Sequence, residues 1–249
     1  MAYVTVTRLY HDAALAAGAG IALGEAETHY LRNVLRLAPG ARIALFNGRD
    51  GEWWAEIESL GRRDGAVRLL EQRRAPRPEP DLWLCFAPLK RARIDYLVEK
   101  ATELGVCELR PVFTDRTVVE RLNLDRLRAH IREAAEQTER LSLPVIHEAE
   151  NLSGLVAAWP GDRALLLCDE TGTAPPILDV LAARRPGPWA VLVGPEGGFS
   201  DSELDALRRL PFLCAVSLGP RVLRADTAAL AALAVLQASL GDWRIGRGA

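Results

Sequence analysis

The chain predicts a two-part architecture, a small all-β N-terminal domain followed by a larger α/β domain, and three observations carry that prediction. The turn dipeptides Asn47-Gly48, Asp50-Gly51 and Asp64-Gly65 punctuate short β-type runs within the first 72 residues. Arg73–Pro80 holds three prolines, which remove backbone donors and keep the chain extended. From Asp81 onward, unbroken apolar runs alternate with stretches of helical period. That pattern fits strands buried on both faces of a parallel sheet. The expected boundaries are a domain over 1–72, a linker over 73–80 and a second domain over 81–249.

Composition narrows the function classes. A chain of 249 residues that is 49% apolar and 26% charged is that of a soluble globular protein of one or two domains. The formal net charge of -2 excludes the strongly basic balance of a general nucleic-acid binder, so any such surface must be local. Cys85, Cys107, Cys168 and Cys214 form no C-x-x-C pair and lie in or beside apolar runs, as buried free thiols in a reducing compartment do. His11, His29, His130 and His147 lack metal-site spacing, and no metal is expected. The N-terminus alternates like a strand rather than reading as a signal peptide, and Ala228–Leu240 is too short to span a bilayer. A cytoplasmic protein with no membrane association is the expectation.

Each element follows in order. Val4 and Val6 alternate with threonine, Arg42–Phe46 and Glu52–Ile57 read as strands, and Ala66–Leu70 completes a set whose natural closure is a small barrel. Thr28–Arg36 has helical spacing and sets Arg32 and Arg36 one turn apart on one face. Leu82–Ala87 is a strand. Ile94, Leu97, Val98, Ala101 and Leu104 define a helix ended by Gly105. Val106–Phe113 is the next strand and Leu124–Arg140 the next helix, with Glu133, Gln137 and Arg140 on one polar face. Ala164–Cys168, Trp189–Val193 and Leu213–Leu218 are further buried strands. Ser200-Asp-Ser-Glu203 is a capping box that fixes a helix start. The last helix, Ala225–Leu240, is apolar on nearly all sides, so it must be buried in its own domain or against a second chain. Asp226 or Thr227 would cap it.

Two strand ends carry the chemistry. Leu192-Val-Gly-Pro-Glu-Gly-Gly-Phe-Ser200 and Ser217-Leu-Gly-Pro-Arg-Val-Leu-Arg-Ala-Asp-Thr-Ala228 each pass from an apolar strand through a Gly/Pro turn into a helix. Such crevices are where α/β sheets bind ligands. Gly194–Gly198 lacks the Lys-Ser/Thr of a phosphate loop and the G-x-G-x-x-G of a dinucleotide fold. Its approachable backbone suits a flat heterocycle or a sugar. Arg221 and Arg224 lie three residues apart just before a helix, where guanidinium groups could hold a phosphate or a developing anion. In the first domain, Arg8, Arg32 and Arg36 supply scattered positive charge, a weak nucleic-acid signal by itself because acidic residues nearly balance the arginines.

These two segments, with His29–Arg36, Glu99–Val106 and Glu133–Arg140, resemble the signatures of the bacterial 16S ribosomal RNA uracil-N3 methyltransferase family, in the SPOUT class of S-adenosylmethionine-dependent RNA methyltransferases. The resemblance spans both domains. It implies a PUA-like β-barrel that helps bind RNA, an α/β domain with a C-terminal trefoil knot, and a homodimer acting on the small ribosomal subunit. It also implies S-adenosylmethionine contacts at Gly194, Glu196, Gly197, Leu218, Gly219 and Leu223. Arg224, with Arg221 second, becomes the candidate catalytic residue. The family usually carries glutamate where this chain has Asp226. No histidine lies near the pocket segments, which leaves the general base unassigned. The competing expectations are a SPOUT enzyme acting on a transfer RNA 2′-hydroxyl, and a non-catalytic RNA-binding ribosome-assembly factor.

Overall fold

A computed structural model describes residues 7–244. Val4 and Val6, expected in the first strand, lie outside the described residues. The chain divides into two compact units. One comprises the residues up to Pro78 with Ala135–Leu143, and the other Glu79–Ala134 with the chain from Pro144.

The N-terminal unit holds β1 (Arg8–Tyr10), β2 (Gly20–Leu23), β3 (Arg42–Asn47), β4 (Gly51–Leu60) and β5 (Gly65–Arg74), in the order β1-β3-β4-β5-β2. Register shifts in the β4–β5 ladder at Trp53 and Ile57 bend the long hairpin. One face therefore closes on Leu9, Ile21, Leu23, Ile43, Leu45, Ile57, Val67 and Leu69, which come from all five strands. Gly51 has φ 78°, and a side chain there would meet the backbone of Arg74–Pro76, so the turn into β4 admits only glycine. Two expectations move. β5 runs on to Arg74, so the first two residues of the expected linker are strand. β2 follows an Ala/Gly-rich stretch and carried no β-branched alternation to announce it.

The predicted helix Thr28–Arg36 is also revised. An α-helix, α1 (Glu25–His29), passes into a π-turn over Tyr30–Val34 in which the Leu35 N–H reaches the Tyr30 carbonyl at 3.0 Å. Arg36 stands beyond it with φ 56°, so Arg32 and Arg36 do not share a helical face. Both side chains are exposed.

Arg8, expected to face RNA, is a structural residue instead. It is 6% exposed, and its Nε donates to Glu52 Oε1 at 2.5 Å while its terminal nitrogens donate to the carbonyls of Ala135, Glu136 and Arg140. Those carbonyls include ones at a helix end that lack intrahelical partners. Glu52 is fully buried and also accepts from Arg73 and Arg74. Burial pushes its carboxyl upward, but the hydrogen bonds and charges of Arg74 and Arg8 prevail and hold it at about 2. Phe46, on the opposite face of β3 from Leu45, packs with Ala135 and Leu141.

The second unit is a parallel α/β layer. It comprises β6 (Leu82–Phe86), α2 (Arg91–Glu103), β7 (Glu108–Phe113), α3 (Leu124–Gln137), β8 (Val145–Ile146), β9 (Glu150–Asn151), α4 (Leu152–Ala157), β10 (Ala164–Cys168), α5 (Ile177–Ala182), β11 (Trp189–Val193), α6 (Asp201–Arg208), β12 (Leu213–Val216) and α7 (Ala225–Leu240). The strand order is β12-β10-β11-β6-β7-β8, with β9 beside β7 and every pairing parallel. Every residue of β6 and β11 is buried, as their unbroken apolar runs require. Gly105, with φ 84°, follows the α2 C-cap and leaves room for Gln237 of α7, whose amide donates to the Leu104 carbonyl at 2.7 Å. α3 ends at Gln137, and Glu139 has φ 63°, so Arg140 leaves the helical face that Glu133 and Gln137 share. α7 buries Ala229, Ala232, Leu233 and Leu236, while Leu230, Ala231, Ala234 and Val235 stay partly exposed. Among the described residues no helix is long and apolar enough to cross a membrane.

Candidate functional site

β10, β11 and β12 are neighbouring parallel strands, so the loops leaving them emerge along the same edge of the sheet. Together they enclose a cavity of about 490 Å³, of a size suited to a small organic ligand. Its walls come from Cys168–Gly172, Val193–Phe199 and Ser217–Ala225, with Ala228 of α7.

The two glycine turns serve it differently. At Gly194 a Cβ would stand 2.9 Å from Phe199 Cε2, so the aromatic ring occupies the space a side chain would need. Phe199 is itself 6% exposed, anchored in the core with Leu165, Leu167 and Leu192. Gly198 has φ 68°, and its absent side chain leaves room for the Glu170 carboxylate. Gly219 has φ 107° and open space around it, so the backbone conformation rather than packing demands glycine. The capping box forms: Ser200 Oγ accepts from the Glu203 N–H at 3.3 Å, and Ser200 N–H donates to Glu203 Oε2 at 2.8 Å. It fixes where the first turn ends and α6 begins.

Of the residues expected to touch a cofactor, Gly194, Glu196, Leu218, Gly219 and Leu223 line the cavity. Gly197 does not. It is turned outward, and its carbonyl accepts from Arg116 Nη1 at 2.9 Å. Arg221 and Arg224 both line the cavity and both are exposed. Arg224 is also the N-cap residue of α7, so neither Asp226 nor Thr227 caps the helix. Asp226 lies in the first turn, and its Oδ1 accepts from the Thr227 N–H at 3.0 Å.

The third wall, from the loop after β10 that begins at Asp169, is not among the segments expected from the sequence. A signal was present, because Ala164–Cys168 is a buried strand that runs into a glycine turn like the other two. Asp169 is buried there. Burial pushes its carboxyl up, but the hydroxyl and N–H of Thr171 and the guanidinium of Arg208 hold it below the usual carboxylate range. Its partner Arg208 tethers the loop to α6 at 3.0 Å. Glu196 pairs with Arg93 of α2 at 2.7 Å. Burial pushes the Cys168 thiol up to about 12, so it stays protonated at neutral pH and is a poor nucleophile.

Comparison with known proteins finds matches in both units. Residues 76–237 match the family model described as an RNA methyltransferase domain, and residues 23–70 that of an RNA methyltransferase PUA domain. The ribosomal RNA small subunit methyltransferase E of Rickettsia conorii is 33% identical over 229 residues, covering 91% of this chain and 93% of that protein. The enzyme of the same description from Synechocystis is also 33% identical, covering 89% of this chain and 74% of its own. A Legionella pneumophila structure solved with bound SAM superposes with a TM-score of 0.85 at 31% identity, covering 94% of this chain and 98% of its own. A Neisseria gonorrhoeae ribosomal RNA small subunit methyltransferase E, bound to S-adenosyl methionine, gives 0.87 at 26% identity and covers 96% and 99%. With matches of this extent in both units, the chain belongs to the ribosomal RNA small subunit methyltransferase E family.

Proposed function

We propose that this protein transfers a methyl group from S-adenosylmethionine to N3 of one uridine in 16S ribosomal RNA, on the assembled small subunit. The observation that carries the reading is the single cavity onto which both glycine turns and the Arg221–Arg224 segment open. Its residues fit the cofactor. Phe199, Leu218, Leu223 and Ala228 give an apolar surface for a flat purine, Gly194 and Gly219 expose backbone, and Glu170 offers a carboxylate to a cation, while Glu196 lines the cavity paired with Arg93.

When bound, S-adenosylmethionine supplies an electrophilic methyl group on a positively charged sulfur. The chain's own task is to orient the uracil ring against it and stabilise the charge left on the ring as N3 loses its proton. Arg224, exposed at the cavity wall, would donate hydrogen bonds to the uracil oxygens where that charge develops, with Arg221 as the second candidate. Arg32 and Arg36, exposed on the N-terminal unit, would contact RNA, with Arg32 steadied by its bond to the Gly61 carbonyl at 2.7 Å.

Homodimerisation is part of the proposal, supported by the partly exposed apolar face of α7 at Leu230, Ala231, Ala234 and Val235. So are a trefoil knot formed by the cavity loops and a cytoplasmic location, the compartment of the proposed substrate. Calorimetry tests the core of the reading. Saturable heat with S-adenosylmethionine is expected, and no heat at millimolar cofactor would sink it.

A further inference from the structure

We infer that the RNA-binding surface of the second unit continues past the cavity, over the ends of β6 and β7, where Lys90, Arg91 and Arg116 hold the phosphate backbone. The inference rests on the reading of the chain as an RNA methyltransferase and adds a surface to it.

β6 lies beside β11 in register, with Phe86 opposite Val193, and the Ala87 N–H donates to the Val193 carbonyl at 3.0 Å. The β6–α2 connection therefore runs along the same sheet edge as the Gly194–Phe199 turn. There α2 opens on Lys90 as N-cap residue, then Arg91 and Arg93, with no acidic residue in its first turn. A helix start carries positive partial charge, so cations there work against helix stability. A local placement that opposes folding is expected where a surface serves binding instead.

The neighbouring charges sharpen this. Arg93 is neutralised by Glu196 at 2.7 Å. Lys90 and Arg91 are exposed, and their side chains have no hydrogen bond or ion pair among the described residues. Arg116, on the loop after β7, is exposed and donates to the uncharged Gly197 carbonyl, so its charge persists. The adjacent Asp115 accepts a hydrogen bond from Ser200 Oγ at 2.6 Å and keeps its own charge, which offsets part of that of Arg116. Lys90, Arg91 and Arg116, none of them in an ion pair among the described residues, thus lie past the Glu196-Gly197 turn along the sheet edge, on the side of β11 away from β12. An RNA strand whose target base enters the cavity would meet positive charge on both sides, and repeated phosphates are the partner such a row attracts.

The test is binding to 16S ribosomal RNA as a function of salt, for the full-length protein and for two double variants. K90A/R91A should weaken binding about 10-fold near 0.1 M salt and lower the slope of log K against log salt by about 1.4, at roughly 0.7 per single-stranded phosphate contact. Its affinity for S-adenosylmethionine should be unchanged and its melting temperature should not fall. K90E/R91E should raise the melting temperature by favouring the helix dipole while weakening RNA binding further. A merely structural role would move stability and binding together. RNA affinity and salt slope equal to wild type in K90A/R91A, or a binding loss that tracks a lowered melting temperature, would overturn the inference. Failure of the wild-type protein to bind cofactor would instead refute the methyltransferase reading, and the salt slopes would still judge the RNA surface on their own.

Discussion

Gly194→Ala probes the cavity most sharply, because a single methyl group is set against a ring that cannot withdraw freely. The added Cβ would lie 2.9, 3.1 and 3.2 Å from Cε2, Cδ2 and Cζ of Phe199. Behind that ring lie the buried side chains of Leu165, Leu167 and Leu192, so it can yield only toward the cavity or by opening the core. Overpacking of this kind costs about 1–3 kcal/mol. For a chain of this size each kcal/mol lowers the melting temperature by about 2–4 °C. If the ring swings into the cavity, cofactor binding must push it back at the same cost, and affinity falls roughly 5- to 150-fold. Thermal unfolding and calorimetry with S-adenosylmethionine read both effects. A variant that melts like wild type and binds cofactor normally would refute the assignment of Gly194 as a close-approach residue of the site.

Other outcomes follow from the same geometry. Gly219→Ala meets no neighbouring atom, so its cost of about 1–3 kcal/mol should come from the φ of 107° alone and appear in denaturant unfolding. Glu52→Gln leaves Arg8 buried beside a neutral partner and should cost about 3–5 kcal/mol. The Glu52 carboxyl lies at about 2 in the folded chain against an ordinary 4.5. Its contribution is therefore present above pH 4.5 and lost as the pH falls toward 2, and melting curves of wild type and Glu52→Gln should converge over that window. Ser200→Ala removes the cap of α6 and the bond to Asp115, costing about 1 kcal/mol by urea titration. Arg224→Ala should bind cofactor normally and lose at least about 10²-fold in turnover on small subunits, and near-normal turnover would end its electrostatic role.

Strands buried on both faces were legible because an unbroken apolar run has few other homes, and β10 and β11 fall on the expected residues. The capping box was legible because both of its bonds are local. What escaped depended on partners distant in sequence. Arg8 reads as a surface cation until Glu52 and the carbonyls of Ala135, Glu136 and Arg140 close around it. The π-turn over Tyr30–Val34 changes the helical phase without changing the residue pattern, so Arg32 and Arg36 looked like neighbours. Gly197 and Gly198 are indistinguishable in a string of letters. In the fold only Gly198 faces the cavity, beside Glu170, while Gly197 turns out to Arg116. The glycine turn after β10 was legible as a strand end, but the pairing of Asp169 with Arg208 of α6 was not, because spacing alone could not bring them near.

Every role proposed for the strand-end cavity depends on methyl transfer to a uracil nitrogen from a cofactor held there. Incubating the protein with labelled S-adenosylmethionine and unmodified small subunits, then mapping the label to its nucleotide and atom, tests it most directly. Label is expected at N3 of one uridine of 16S ribosomal RNA, reduced in Gly194→Ala under limiting cofactor. Label on a ribose 2′-oxygen, or none in any RNA despite cofactor binding, would contradict it.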